Sequence, residues 1–203
     1  YETGWVSSSK VKALVSSSLE KNPPTDKDSL HETPAPDLLM EWRDSCRDLM
    51  CNLYSYATVS PDVVENVCSF LKEWKPKAVE IGAGTGYLSK LLRDTGIPVD
   101  AWDICPTDPD NNNNNKAVNE YHGHTPPFYP VNKSSKFPIS SANDTALLLC
   151  YPPPGSSRAY DTLTAYLRAG GKYLVHIGEF KGLTGNDTFE RCLVQKMVCQ
   201  GRF

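Results

Sequence analysis

The chain has 203 residues and a net charge of −3, and 39% of its residues are hydrophobic. This length suits one domain with a tail, and the slightly acidic balance gives no overall attraction to nucleic acid. No apolar run approaches the roughly 18 residues that a membrane-spanning helix needs, so we expect no membrane association.

Seven cysteines are spread over the chain, and no two of them form a C-x-x-C pair. This spacing provides neither a zinc ribbon nor a thioredoxin-like redox motif. We therefore expect a reduced, intracellular protein, most simply a cytoplasmic one. Because the chain begins at Tyr1 rather than Met, the possibility that an organellar targeting segment was removed stays open.

Residues 1–36 are rich in serine and proline and are predicted to form a flexible tail. Within this tail, residues 10–21 have apolar side chains at helical spacing and indicate one short helix. Residues 37–203 are predicted to form a single domain. Five consecutive asparagines, residues 111–115, predict a surface loop inside it.

Two helices are predicted at the start of this domain. From Asp37 to Ser55 apolar residues recur every three or four positions, which predicts a helix with one buried face. Ser60 and Pro61 then have the order of an N-cap followed by proline at the first helical position. This second helix is predicted to end near Trp74.

After Pro76 the sequence alternates between strands and helices. Such alternation predicts an α/β fold of the Rossmann-like type, with a doubly wound, mostly parallel sheet covered by helices on both faces. The predicted strands are residues 78–81, 99–104, 146–151 and 172–178, with a weaker one at 128–131, and the predicted helices are residues 87–94, 160–168 and 189–196.

A glycine-rich loop joins the first predicted strand to the next helix. Glycine allows a sharp turn and close approach of the backbone to a ligand, and we expect free N–H groups at the start of the next helix to offer hydrogen-bond donors to an acidic or polar ligand. Asp103 follows 19 positions after Gly84, where nucleoside-binding folds place the acid that holds ribose hydroxyls. A dinucleotide fingerprint needs glycine at position 87. Tyr87 stands there, which disfavours a nicotinamide-dependent oxidoreductase.

The spacing Glu80-x-Gly82-x-Gly84-x-Gly86 resembles motif I of the class I S-adenosylmethionine-dependent methyltransferases. The resemblance implies the methyltransferase type of the Rossmann-like fold, with S-adenosyl-L-methionine as the cofactor. It also implies that Glu80 lies near the amino-acid end of the cofactor and that Asp103 binds the ribose. The residues that would line the cofactor are Glu80, Gly82, Ala83, Gly84, Thr85, Gly86, Asp103 and Ile104.

The end of the strand at 146–151 resembles motif IV of amino-group methyltransferases, which reads Asp/Asn-Pro-Pro-Tyr/Phe. Here Cys150 is taken to replace the polar residue, and Pro154 replaces the aromatic one. In the family, the polar residue accepts hydrogen bonds from the target amine. Because it is replaced here, methylation of adenine or glutamine amines loses much of its support.

Four segments in this order are similar to a narrower set of methyltransferase-like proteins, with motifs of the form Y-A-W-x-x-P, E-I-G-A-G-T-G-Y-W, W-P-P and G-E-x-x-G-x-T. The resemblance covers roughly positions 40 to 190 and implies the fold and the cofactor. It implies no substrate, so the acceptor stays open among small molecule, protein and RNA. The matching segments are residues 54–57, 80–88, 150–154 and 177–187.

Tyr151 and Glu179 are the candidate catalytic residues, because both follow strands at the carboxyl edge of the sheet, where ligands bind in such folds. Alternatively, Tyr151 belongs to the core and Glu179 caps a neighbouring turn. Tyr56 is predicted to cover the cofactor, with a core position as the equal alternative.

The histidines do not indicate a metal site. His122 and His124 are close in sequence, but no cluster of cysteines or carboxylates accompanies them, so we predict no metal. His176 lies within a predicted strand and is expected to be a core residue with its hydrogen bonds satisfied.

Two functions follow from the sequence. The first is an S-adenosylmethionine-dependent methyltransferase of unknown acceptor, and the second is a catalytically silent methyltransferase-like scaffold or interaction protein. After Glu179 only 24 residues remain, enough for one helix and one strand near residues 197–203. We therefore expect a sheet without the seventh strand of the family, because either the fold is abridged or the sequence stops before the natural terminus.

Overall fold

The computed structural model describes residues 37–74, 77–106, 126–134, 136–138 and 142–197. The chain divides into two units, Tyr1–Leu49 and Met50–Phe203. The predicted tail, its short helix and the asparagine run lie outside the described residues, as does the last predicted strand except for Met197. The predicted boundary between tail and domain therefore stays a prediction.

The first helical region is not the continuous helix that the sequence predicts. It consists of α1 (Asp37–Trp42), a π-helical segment (Arg43–Arg47) and α2 (Asp48–Leu53). The prediction of one buried face was wrong, because only Cys51 is buried in these three segments. A π-helical turn holds more residues than an α-helical turn, so the segment at Arg43–Arg47 interrupts the spacing of three and four residues on which the prediction depends. The exposed apolar residues include Leu38, Leu39, Leu49, Met50 and Leu53.

Helix α3 (Pro61–Trp74) confirms the predicted helix start. The Val63 N–H donates to the Ser60 hydroxyl at 3.4 Å, as an N-cap residue requires. Three apolar side chains of α3 are buried, namely those of Val67, Cys68 and Leu71.

Within the described residues, five strands form one parallel sheet in the order β3-β2-β1-β4-β5. This arrangement confirms the predicted α/β fold of the Rossmann-like type. The strands are β1 (Ala78–Ile81), β2 (Val99–Asp103), β3 (Asn132–Lys133), β4 (Ala146–Cys150) and β5 (Leu174–Ile177).

The weak strand predicted at residues 128–131 was wrong, because the edge strand β3 begins only at Asn132. The Phe128 N–H donates to the Thr85 carbonyl at 2.9 Å, and the Phe128 ring stacks on Tyr54 at 5.8 Å. This segment is therefore held against the glycine-rich loop rather than in the sheet.

Helices cover both faces of the sheet. On one face, α3 and α4 (Tyr87–Asp94) pack over side chains such as Val99 and Leu148. On the other face, α5 (Arg158–Arg168) and α6 (Asp187–Lys196) pack over Val79 and Leu147. Because successive strand residues point to opposite faces, apolar runs such as the one in β4 serve both cores.

The turn from α5 to β5 is fixed by the hydroxyl of Tyr166, whose side chain is fully buried. This hydroxyl accepts the backbone N–H groups of Lys172 and Tyr173 at 3.0 and 2.9 Å. It also lies 2.8 Å from the Tyr173 carbonyl and 2.9 Å from the Thr145 carbonyl. A single side chain thus satisfies several backbone groups that would otherwise be buried without partners.

Candidate functional site

A cavity of about 410 Å³ opens at the carboxyl ends of β1, β2 and β4. The strand order reverses between β1 and β4, and ligands of open α/β sheets bind at such a point. All the residues that line this cavity belong to the second unit. The topology therefore makes it the candidate functional site.

The glycine-rich loop forms one wall of this cavity. Gly82, Gly84 and Gly86 all have positive φ angles, of 82°, 55° and 72°, which glycine adopts without steric strain. A Cβ added at Gly82 would meet nothing within 4 Å, whereas one at Gly86 would lie 2.8 Å from the Tyr129 carbonyl oxygen. Gly82 thus leaves open space beside the cavity, and Gly86 serves the packing of the chain itself.

The loop N–H groups are already used within the protein. Those of Gly82 and Ala83 donate to the Trp102 carbonyl at 2.8 and 3.1 Å, and that of Gly84 donates to Asp103 at 2.9 Å. The free N–H groups that the sequence predicts belong to the start of α4, so these three bonds do not test that prediction. Because phosphate binding at a glycine loop depends on such free donors, this part of the loop is not a phosphate cradle.

Asp103 is buried at the end of β2 and is held in place by backbone groups. Its Oδ2 accepts from the Gly84 N–H at 2.9 Å, and its Oδ1 accepts from the Cys105 N–H at 2.8 Å. An ionised carboxylate offers about four acceptor positions, so two such bonds leave capacity for hydroxyl donors. Ile104, which follows it, is exposed and lines the same cavity.

Glu80 lies on β1 with only 2% of its surface exposed and also lines the cavity. The Ser89 hydroxyl of α4 donates to its Oε2 at 2.5 Å. Burial raises the pKa of this carboxyl to about 7, and the nearby Asp103 adds to the effect, while the bonds from Ser89 oppose it. Near neutral pH this carboxyl is therefore partly protonated and partly ionised.

The end of β4 forms the opposite wall. Burial, together with the nearby Glu80, raises the pKa of the Cys150 thiol, so this thiol stays neutral. Tyr151 has a φ of 46°, which costs a non-glycine residue about 1–2 kcal/mol. Its N–H donates to the Ile177 carbonyl at 2.8 Å, and its ring lies 5.9 Å from that of Tyr56.

The cavity brings together most of the site residues that the sequence predicts. Thr85 lies outside its lining, and its hydroxyl donates to the Tyr54 carbonyl. Glu179 also lies outside, and its Oε2 accepts from the Leu183 N–H at 2.8 Å, which fits the alternative that it caps a turn. The predicted residues that do line the cavity are Glu80, Gly82, Ala83, Gly84, Asp103, Ile104 and Tyr151, together with Tyr56.

Arg158 is a lining residue that the sequence did not single out. It is the first residue of α5, and its side chain forms no ion pair within the described part of the chain. Among the described residues that line the cavity it is the only one with a positive charge. A basic residue in a helical first turn has no distinctive sequence signal, so only the fold identifies it.

The structure does not confirm the prediction that His176 is a core residue with its hydrogen bonds satisfied. Its Nε2 is buried and has no hydrogen-bond partner among the residues that the structure describes. Its ring meets Phe189 edge to face at 5.2 Å, and burial lowers its pKa. The side chain packs at the α6 side of the sheet and does not line the cavity.

No family model matches the chain, and no curated protein or solved structure matches it. Within the described residues, no group of three or more His, Cys, Asp or Glu side chains could hold a metal ion. In the same residues, no helix is both long and apolar enough to cross a membrane. The function must therefore be inferred from the cavity and its chemistry.

Proposed function

We propose that the chain is an S-adenosylmethionine-dependent methyltransferase of the class I type, with the cofactor in the cavity at the ends of β1 and β2. One observation carries the proposal. Two buried acids, Glu80 and Asp103, converge on a cavity whose glycine-rich loop leaves open space at Gly82.

The charge of the cavity supports this ligand over a dinucleotide. Two carboxyl groups line the cavity beside the glycine-rich loop, and the loop donors of Gly82, Ala83 and Gly84 are already used. Such a wall repels phosphates and favours a cationic or neutral ligand. S-adenosylmethionine carries a sulfonium and an ammonium group, and its ribose offers hydroxyl donors.

The residues present fit the parts of this cofactor. Glu80 would accept the ammonium group, Asp103 would accept ribose hydroxyls, and the exposed Ile104 would give an apolar contact. When bound, the cofactor supplies an electrophilic methyl group, so the protein has mainly to align the acceptor and exclude water.

Of the two candidate catalytic residues, Tyr151 has more support than Glu179 as the residue that contacts the methyl acceptor. It directly precedes Pro152, so an alignment on the two prolines puts Tyr151, and not Cys150, in the place of the polar residue of motif IV. Its hydroxyl can accept or donate a hydrogen bond. Glu179 has less support, because its carboxylate lies outside the cavity lining and contacts Leu183.

Isothermal titration with S-adenosylmethionine and with its product S-adenosylhomocysteine tests the proposal. In Gly82→Asn, the new residue tolerates the left-handed conformation and its Cβ meets nothing within 4 Å, so we expect a folded variant that has lost at least tenfold in affinity. Gly96→Asn is the matched control, because Gly96 has a φ of 89° with equally open space and does not line the cavity. Absence of binding by the folded wild type at millimolar cofactor would refute the proposal.

The alternative is a catalytically silent scaffold with the same fold. The absence of Asp or Asn before Pro152 favours it, because Tyr151 has no carboxylate or amide oxygen to accept hydrogen bonds from an amine. Cofactor binding without transfer of a labelled methyl group to any fraction of a cell extract would support this alternative over the enzyme.

A further inference from the structure

The charged groups that line the cavity are segregated. The two acids, Glu80 and Asp103, lie at the ends of β1 and β2, whereas Arg158 lies at the start of α5, beyond the end of β4. The acidic side is the one that the proposed cofactor would occupy. The side beyond β4 therefore offers a positive charge to whatever else enters the cavity.

An aromatic wall stands on this same side of the cavity. The rings of Tyr56 and Tyr151 lie 5.9 Å apart with an angle of 56° between their planes. The three prolines that follow Tyr151 also line the cavity, and Arg158, another lining residue, comes four positions after the last of them. A surface of this kind packs against a flat, unsaturated group.

The backbone of Tyr151 indicates that this wall is maintained at a cost. A φ of 46° is unfavourable for tyrosine, and the conformation is held by the bond from its N–H to the Ile177 carbonyl. Strain of this kind concentrates at ligand-binding sites. The ring is thus held at the cavity although the backbone disfavours it.

From this juxtaposition of Arg158 with the Tyr56–Tyr151 wall, we propose that the methyl acceptor is a small planar molecule that carries a carboxylate. The guanidinium group binds a carboxylate through two parallel hydrogen bonds, and the tyrosine rings pack on the flat part of the molecule. The role of this molecule as methyl acceptor rests on the proposed function, whereas its binding to the subsite does not.

Benzoate and benzamide are a matched pair of probes, because they share shape and differ in charge. We titrate each into the full chain saturated with S-adenosylhomocysteine and measure affinity by saturation-transfer NMR. Benzoate should bind at least tenfold more tightly than benzamide to the wild type. Arg158→Gln should remove this preference by weakening benzoate alone. Arg168→Gln, at the other end of α5 and outside the cavity lining, should keep it.

Three results would overturn the proposal. Equal affinity of the wild type for both probes would show that no carboxylate subsite exists. An equal loss in Arg168→Gln would show only general electrostatic attraction. A tenfold loss of S-adenosylhomocysteine affinity in Arg158→Gln would assign Arg158 to the carboxylate of the cofactor.

The two proposals fail in different ways. If the wild type binds no S-adenosylhomocysteine but still prefers benzoate through Arg158, the methyltransferase fails and the carboxylate subsite stands. If it binds S-adenosylhomocysteine and does not discriminate between the probes, the subsite fails and the methyltransferase stands.

Discussion

The substitution Glu80→Gln tests the most unusual group of the cavity. In the folded protein the pKa of the Glu80 carboxyl is about 7, against 4.5 for the unperturbed group, and burial is the main cause. Between these two pH values the folded chain keeps a proton that the unfolded chain releases. Glutamine has nearly the same shape and cannot ionise, so the variant lacks this dependence.

The sign and size of the effect follow from proton linkage. The contribution of Glu80 is fully present below pH 4.5, falls as the pH rises and is lost above pH 7. A shift from 4.5 to about 7 corresponds to about 3 kcal/mol at 1.36 kcal/mol per unit. The unfolding free energy of the wild type, minus that of Glu80→Gln, should therefore fall by about 3 kcal/mol from pH 4 to pH 8.

Urea unfolding at four pH values across this range measures the difference directly. Because the two proteins share all other titrating groups, their contributions cancel in the subtraction. Glu73→Gln is the control, since Glu73 is an exposed carboxyl on α3 and its difference from the wild type should stay flat. A flat or rising difference for Glu80→Gln would refute the reasoning that burial holds the proton on this carboxyl.

Two further predictions concern cofactor binding in the same cavity and the Tyr166 hydroxyl at the turn from α5 to β5. If the ammonium group of the cofactor pairs with Glu80, cofactor binding at pH 6.5 should release up to about one proton. The binding heats measured by calorimetry in phosphate and in Tris buffer should then differ. Equal heats would place the ammonium group elsewhere. Tyr166→Phe should lower the free energy of unfolding by about 2 kcal/mol, because two backbone N–H groups in partly buried hydrogen bonds lose their acceptor. Tyr160→Phe, half-buried on the same helix, is its control, and an equal effect in both would argue against this role of the hydroxyl.

The sequence was sufficient for the four longer strands of the sheet, β1, β2, β4 and β5, because their signals are local. The strand at Ala78–Ile81 and the helix at Pro61–Trp74 both have the predicted bounds, since periodicity, a proline and flanking glycines act over a few residues. The first helical region failed for the same reason. Its apolar spacing is regular, but the π-helical turn at Arg43–Arg47 leaves no mark in that spacing.

The site could be predicted only in part, because its function depends on contacts between distant residues. The motif-like spacing places Glu80 and Asp103 near the cavity, and the structure brings both to its wall. The raised pKa of Glu80 comes from burial by other elements, and the loop donors are used by Trp102 and Asp103. Arg158 reaches the cavity through the packing of α5, which no local pattern shows.

The strain at Tyr151 bears on the choice between an enzyme and a silent scaffold. A scaffold that bound no ligand would need neither a buried carboxyl at Glu80 nor a tyrosine at a φ of 46°, yet both unfavourable features lie on the wall of one cavity. Tyr151→Asn and Tyr151→Ala both remove the ring, but only asparagine tolerates this conformation.

We therefore expect Tyr151→Asn to be more stable than Tyr151→Ala by about 1 kcal/mol in urea unfolding. Both variants should lose the affinity for benzoate that the ring of Tyr151 supports. If the two variants are equally stable, the backbone at this position is not strained. If they bind benzoate as the wild type does, the ring is not part of the subsite, and the strain at Tyr151 no longer favours a ligand-binding enzyme.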